Sequence, residues 1–218
     1  MGTILIKVGL VDVEQIDDDR VCQHIKQNGK FEPESLLAWG KACEGGKAAC
    51  VLDVGSYGGL FGIAAALMGN VSTAIEPNPI LSKRTKANQA LNGVSYKVIE
   101  AAASDKVGKA MLGFNPNVRL TSGASLERKG PAMMEVKTMT LDSLGEHYFT
   151  GVGAIKIDVE GHEAAVIRGA FNLIKKNKPF LLIETMNDEK RKNEIIKLLP
   201  GYKVVKFMDQ RNLWMEPR

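Results

Sequence analysis

Val51-Leu52-Asp53-Val54-Gly55-Ser56-Tyr57-Gly58-Gly59 is the stretch that decides how this chain reads, together with Ala154-Ile155-Lys156-Ile157-Asp158-Val159-Glu160-Gly161-His162-Glu163. Each is an apolar run that ends in an acid closely followed by glycine. In a parallel α/β sheet that pattern marks a strand tip opening onto a ligand crevice. Cys50 to Leu52 suits a strand buried on both faces. The apolar stretch Leu60 to Met68 reads as the next helix. Between them, Gly55, Gly58 and Gly59 lack a Cβ, so the backbone can approach a ligand closely. A helix starting near Leu60 would aim its free N–H groups at that ligand. The alternative is a glycine-rich strand-to-helix turn that binds nothing.

The spacing is D-x-G-x-x-G. A dinucleotide site calls for G-x-G-x-x-G, whereas an acid leading the glycines is common at S-adenosylmethionine sites. Val71 to Ile75 reads as the following strand, and Glu76-Pro77-Asn78-Pro79 ends it. Glu76 therefore sits one βα unit after Asp53, where an acid accepts hydrogen bonds from ribose hydroxyls. Its other reading is a cap on the next helix, with Pro79 in the first turn. The two acids together point to a class I methyltransferase.

The 218 residues are most simply one domain with a substantial core, and 44% are hydrophobic. No apolar run approaches the roughly 20 residues of a membrane span. Met1 to Leu10 holds only a short apolar patch before an acidic cluster, so no signal peptide is expected. Cys22, Cys43 and Cys50 form no C-x-x-C pair; buried or idle thiols in a reducing cytoplasm are expected. His24, His147 and His162 are too few and scattered for a metal cluster, so no metal is expected. Net charge is +4. Residues 1–34 carry seven acids and four bases, residues 175–218 eleven bases and six acids. The basic end is either a face for an anionic substrate or solvated lysines. Few aromatics accompany it, so no stacking platform for single-stranded nucleic acid is apparent.

In chain order, Met1 to Val13 reads as a strand, with Thr3 to Val8 the β-branched part. Asp17-Asp18-Asp19 opens a helix that closes at Asn28-Gly29, and Ser35 to Ala42 is a second helix. This part, residues 1–47, is expected as an extension covering the cofactor site of a methyltransferase domain over 48–218. Strands and helices then alternate: Ala48 to Asp53, Leu60 to Met68, Val71 to Glu76, Ile80 to Leu91 and Tyr96 to Glu100. Ala101-Ala102-Ala103-Ser104-Asp105 follows. Its small residues leave room for a flat adenine, and Asp105 can accept from the adenine amino group; a plain small-residue turn is the alternative. Lys109 to Phe114 and Met134 to Met139 resemble strands, separated by a long loop, Asn115 to Pro131. Thr140 or Asp142 caps a short helix. Ala154 to Asp158 is a strand, Glu163 to Lys176 one helix, Phe180 to Ile183 a strand ending at Glu184, and Asp188 to Leu199 a basic helix. Tyr202 to Met208 and Asn212 to Glu216 close the chain as a hairpin. The fold class is α/β: a Rossmann-like, seven-stranded, mostly parallel sheet, with helices on both faces and a C-terminal antiparallel hairpin.

The chain resembles the FkbM family of S-adenosylmethionine-dependent methyltransferases over about residues 31 to 185. The marks are Phe31-Glu32-Pro33-Glu34, the Leu52 to Gly59 loop, Ile75-Glu76-Pro77-Asn78, Ala103-Ser104-Asp105, Ser122-Gly123-Ala124-Ser125-Leu126, Thr140 to Leu144, and above all Lys156 to Glu163. Ser56-Tyr57 departs from the family's usual Ala-Asn but keeps the acid and the glycines. The resemblance implies S-adenosyl-L-methionine as cofactor, with S-adenosylhomocysteine as product. It also implies O-methylation, often of a sugar or of a hydroxyl or carboxyl group on a small molecule.

The candidate cofactor-binding residues are thus Asp53, Gly55, Ser56, Tyr57, Gly58, Glu76, Pro77, Ala101, Ala102, Asp105 and Asp158. Methyl transfer from a sulfonium is an in-line displacement that needs mainly positioning, and a hydroxyl acceptor also needs a base within reach. Asp158 would orient the cofactor's amino-acid end or the acceptor, and Glu160 or His162 would be that base. For Glu160 to Glu163 the alternative is an ordinary acidic first turn of a helix. Lys156 would pair with Asp53 or another tip acid, or lie on the sheet face, and Glu184 is a weaker substrate contact. Two other functions compete. One is a nucleic-acid methyltransferase, supported only by the basic C-terminal region and lacking both an Asn/Asp-Pro-Pro-Tyr motif and paired cysteines. The other is a catalytically silent S-adenosylmethionine-binding module.

Overall fold

The structure is a computed structural model, described here for residues 2–116, 123–144 and 151–218. The Ser122 end of one motif, His147 and part of the 115–131 loop lie outside the described residues.

The chain opens with two antiparallel strands, β1 (Thr3–Val8) and β2 (Val11–Ile16). Met1 to Val13 is therefore not one strand. Gly9 adopts φ 58°, and a Cβ on it would come 2.8 Å from the Cα of Gly40, so the chain turns here against a helix. Helix α1 (Arg20–Asn28) starts at Asp19, whose carboxylate accepts from the Cys22 amide at 2.9 Å. It stops at Gly29 in the left-handed region. Helix α2 (Pro33–Cys43) carries Trp39, fully buried, whose indole N–H donates to the Phe61 carbonyl at 3.0 Å.

The core is one seven-stranded sheet. Its members are β3 (Cys50–Val54), β4 (Val71–Ile75), β5 (Lys97–Ile99), β9 (Val152–Ile157), β10 (Phe180–Glu184), β11 (Tyr202–Met208) and β12 (Asn212–Pro217). Their order is β11-β12-β10-β9-β3-β4-β5. Every pair from β10 to β5 is parallel, and β12 joins β10 and β11 antiparallel. The central strands are apolar on both faces because both are covered. Leu52, Val54, Ile155, Ile157, Leu181 and Ile183 pack against α5 (Glu163–Arg168), α6 (Phe171–Asn177) and α7 (Glu189–Leu198). Val51, Ala154 and Leu182 pack on the other side against α2, α3 (Leu60–Leu67) and the β1–β2 hairpin. Helix α4 (Pro79–Leu91) links β4 to β5.

Lys109 to Phe114 and Met134 to Met139 do form strands, but in a second, three-stranded sheet. It is built from β6 (Ala102–Ala103), β7 (Gly108–Phe114) and β8 (Ala132–Met139), in the order β6-β8-β7. The expected single helix Glu163 to Lys176 is broken in two at Gly169–Ala170. A Cβ on Gly169 would come 2.0 Å from the Ser104 carbonyl oxygen, so the break coincides with close backbone packing. Asp142 reaches across to accept from the Asn172 and Leu173 amides at 3.1 and 2.8 Å, capping α6. Thr140 caps the short 142–144 turn through the Ser143 amide. All three cysteines are free and buried.

Candidate active site

Strand order reverses beside β3, since β4 and β5 lie to one side and β9 and β10 to the other. Ligands of such sheets bind where the carboxyl ends of the strands diverge. Four acids stand there: Glu76 after β4, Asp53 in β3, Asp158 after β9 and Glu184 at the end of β10. All four line a cavity of about 1370 Å³. Small-molecule pockets usually occupy about 300–1,000 Å³, so this one has room for a cofactor and an acceptor together.

Asp53 is buried and accepts from the Gly62 amide of α3 at 2.9 Å. Glu76 accepts from the Tyr57 and Asn78 amides, both at 3.0 Å. Each acid therefore ties its strand tip to the glycine loop or to a helix start. Burial, only partly offset by these amides, pushes both carboxyls up to about 7. The loop itself turns at Gly55 (φ 75°) and Gly59 (φ 83°). Gly55, Ser56, Tyr57 and Gly58 all face the cavity, as does Pro77. The Ser56 hydroxyl is buried without a hydrogen-bond partner among the described residues, a polar group left for a ligand.

Ala102 and Ala103 form part of the wall, as do Leu81, Leu112 and Ile75. Ala101 and Asp105 do not border the cavity. Asp105 turns away towards α5, its Oδ2 lying 3.5 Å from the Arg168 guanidinium.

Asp158, Glu160 and His162 line the cavity, but in different circumstances. Glu160, at φ 54°, binds Arg128 at 2.9 Å, and its carbonyl accepts from the Ser125 hydroxyl at 2.8 Å. His162 spends both ring nitrogens: Nδ1 lies 2.5 Å from Glu127 and Nε2 2.9 Å from the Ser104 hydroxyl. Both side chains hold the 125–128 segment against the 158–162 turn.

Asp158 faces a different group. Lys156, beside Asp53 in register and almost wholly buried, places its ammonium 3.4 Å from Asp158 Oδ2 and 3.1 Å from Asn212 Oδ1. Burial opposes the Lys156 charge, but Asp158, Glu32 and Glu184 outweigh it and hold the ammonium above its ordinary value. Asn212 passes the chain of contacts to Glu32 at 3.0 Å. Arg211 Nε donates to Glu184 Oε1 at 2.9 Å. Glu184 is pushed up to about 9, first by burial and then by the facing Asp158. Burial works against Asp158 too, yet Lys156, a hydrogen bond from Glu184 and Arg211 keep it below its ordinary value. Glu32, Arg211 and Asn212 were not legible as site residues. Only Glu32 carried a signal, the Phe31-Glu32-Pro33-Glu34 motif.

A deep crevice at the strand tips, an acid–glycine loop and a second acid one βα unit on define a class I methyltransferase. The profile of the methyltransferase FkbM domain matches residues 53–210, and the chain belongs to that S-adenosylmethionine-dependent family. No curated protein sequence matches it. Among solved structures it is similar to a methyltransferase FkbM from Methylobacillus flagellatus, at 16% identity and a TM-score of 0.51, covering 94% of this chain and 56% of that one. It is also similar to an S-adenosylmethionine-dependent methyltransferase from Agrobacterium tumefaciens, at 15% identity and a TM-score of 0.59, covering 100% and 71%. A third is the 16S rRNA N2 G1207 methyltransferase of T. thermophilus, solved with its cofactor and guanosine, at 13% identity and a TM-score of 0.58, covering 100% and 50%. The chain thus spans about half the length of two of these three relatives. Among the described residues no helix is long and apolar enough to cross a membrane.

Proposed function

We propose that this chain transfers a methyl group from S-adenosylmethionine to a hydroxyl, or a carboxyl, of a small molecule or sugar. One observation carries the choice of acceptor. Among the described residues the cavity wall holds nine Asp or Glu against five Lys or Arg. Even with Asp53, Glu76 and Glu184 protonated, six acids (nine less three) face five bases. A polyanion gains nothing from such a wall, because nucleic-acid affinity comes largely from phosphate neutralisation. A neutral, hydroxyl-bearing acceptor finds a dense array of hydrogen-bonding groups there.

In this reading Glu76 and Pro77 hold the ribose, Ala102 with its neighbour Ala103 flanks the adenine, and Asp53 and the Gly55 to Gly58 loop hold the amino-acid end. The orphaned Ser56 hydroxyl and the paired Asp53 and Glu76 carboxyls fit such a ligand. The cofactor supplies an electrophilic methyl whose S–C electron pair stays on sulfur. The chain's own work is to align the acceptor oxygen and take its proton, and in this reading Asp158 does both. Residues 1–47 contribute Gln15, Asp19, Glu32 and neighbours to the wall and act as its cover.

Calorimetric titration with S-adenosylmethionine and S-adenosylhomocysteine tests the cofactor half, with Asp53→Ala and Glu76→Ala as controls. Micromolar binding lost in both variants supports the reading, and no binding to the intact protein sinks it. Methylation of tRNA or rRNA, with stoichiometric binding at physiological salt, would reverse the choice of acceptor.

A further inference from the structure

Three carboxyls, Glu32, Asp158 and Glu184, crowd against two cations, the buried Lys156 and the exposed Arg211. The neighbouring Glu160 is already matched by Arg128, and Asn212 is neutral. With Asp53, which also stands beside Lys156, holding its proton, three against two leaves one negative charge over. Among the described residues Glu184 Oε2 is buried with no donor to receive from, which is costly for a carboxylate and natural for a carboxylic acid. The carboxyl oxygens of Asp158 and Glu184 come within 4.8 Å of each other at the cavity. The cluster is balanced when that pair holds one proton.

We infer that Asp158 and Glu184 share a proton that is expelled when a cationic sulfonium ligand enters the cavity and is replaced by the proton of the acceptor hydroxyl. This rests on the cofactor reading above. A third positive charge beside the cluster stabilises the doubly ionised pair, so the proton leaves to solvent. The emptied pair then accepts the acceptor's proton as its O–H bond breaks and its oxygen becomes methylated. The sulfonium charge disappears in the same event, so the pair is again most stable with one proton. One proton leaves on binding and one returns in the reaction, which restores the starting state. Asp158, the more open of the two, touches the acceptor; Glu184 is a positioning residue acting through it.

Other groups near the pair bear on its titration: Lys156 and Asp53 from the sheet, Arg211 from the β11–β12 turn, Glu32 from the start of α2, and Glu160 from the following turn. Lys156 and Arg211 stay charged over the range of interest, both held above their ordinary values by the facing carboxylates against the pull of burial.

The test is proton counting by calorimetry at pH 7.5, in two buffers of different ionisation enthalpy, with the intact chain and no acceptor. S-adenosylmethionine is expected to release about 0.5–1 proton more than the neutral sulfide S-adenosylhomocysteine. Glu184→Gln keeps a donor towards Asp158 but cannot lose a proton, and is expected to bind both ligands without the excess. Asp158→Asn, a second variant should the first fail to fold, is expected to do the same. Equal counts in the wild-type protein overturn the inference, as does an excess that survives in either variant. Absence of binding by both ligands would overturn the cofactor reading along with it.

Discussion

Gly55 and Asp158 meet so closely that a Cβ on Gly55 would stand 1.8 Å from the Asp158 carbonyl oxygen. The tips of β3 and β9 are thus in direct backbone contact at the mouth of the cavity. The glycine is needed here for the fit of one strand tip against another and for φ 75°, before any ligand is considered.

Gly55→Ala should therefore cost stability even without cofactor. Left-handed strain and overpacking against backbone together predict about 2–5 kcal/mol. Urea unfolding of the apo protein checks this, and a loss under about 1 kcal/mol would mean that the tips part easily.

Asp53 and Glu76 predict a pH-dependent apo stability. In the unfolded chain they ionise near 3.8 and 4.5, in the folded one near 7. Between those values the folded state keeps protons that the unfolded state has lost, so these groups weaken the fold as pH rises from about 4 to 7. Each contributes a slope of up to about 1.4 kcal/mol per pH unit. Asp53→Asn should flatten the curve, since the amide oxygen still accepts from Gly62 while the titration is gone. Thermal melts from pH 4.5 to 8 would show it.

Lys156→Met should destabilise the protein by about 3–5 kcal/mol, because it leaves Asp158 and Glu184 crowded without their buried counter-charge. The loss should be smaller at pH 5 than at pH 8, where Asp158 can no longer escape by taking up a proton. Denaturation at both pH values separates this from simple loss of packing, which would be the same at each.

His162→Ala should lower turnover by less than about tenfold, whereas a general base contributes about 10²–10⁴-fold. Both ring nitrogens are already engaged by Glu127 and Ser104. Formation of S-adenosylhomocysteine with a working acceptor measures it. A loss of a thousandfold would return the histidine to the proton transfer.

The sequence by itself determined what neighbours along the chain decide. Apolar runs of strand length, the acid–glycine loop, the Asp19 and Gly29 caps and the closing hairpin are local patterns, and each stands where it was expected. Even there, two local readings gave way to contacts from afar. Gly9 turns the N-terminal strand because its backbone lies on Gly40, and Gly169 breaks a helix because its backbone lies on Ser104. The site was legible to the extent that its acids end strands. What only the tertiary structure decided is which groups meet. Glu32 and Asn212 are 180 residues apart yet hydrogen-bonded, and Arg211 reaches Glu184 across 27. Such pairs leave no spacing in the sequence, because folding brings them together by burying apolar surface elsewhere. The polar groups gathered at the strand tips must then balance one another's charge.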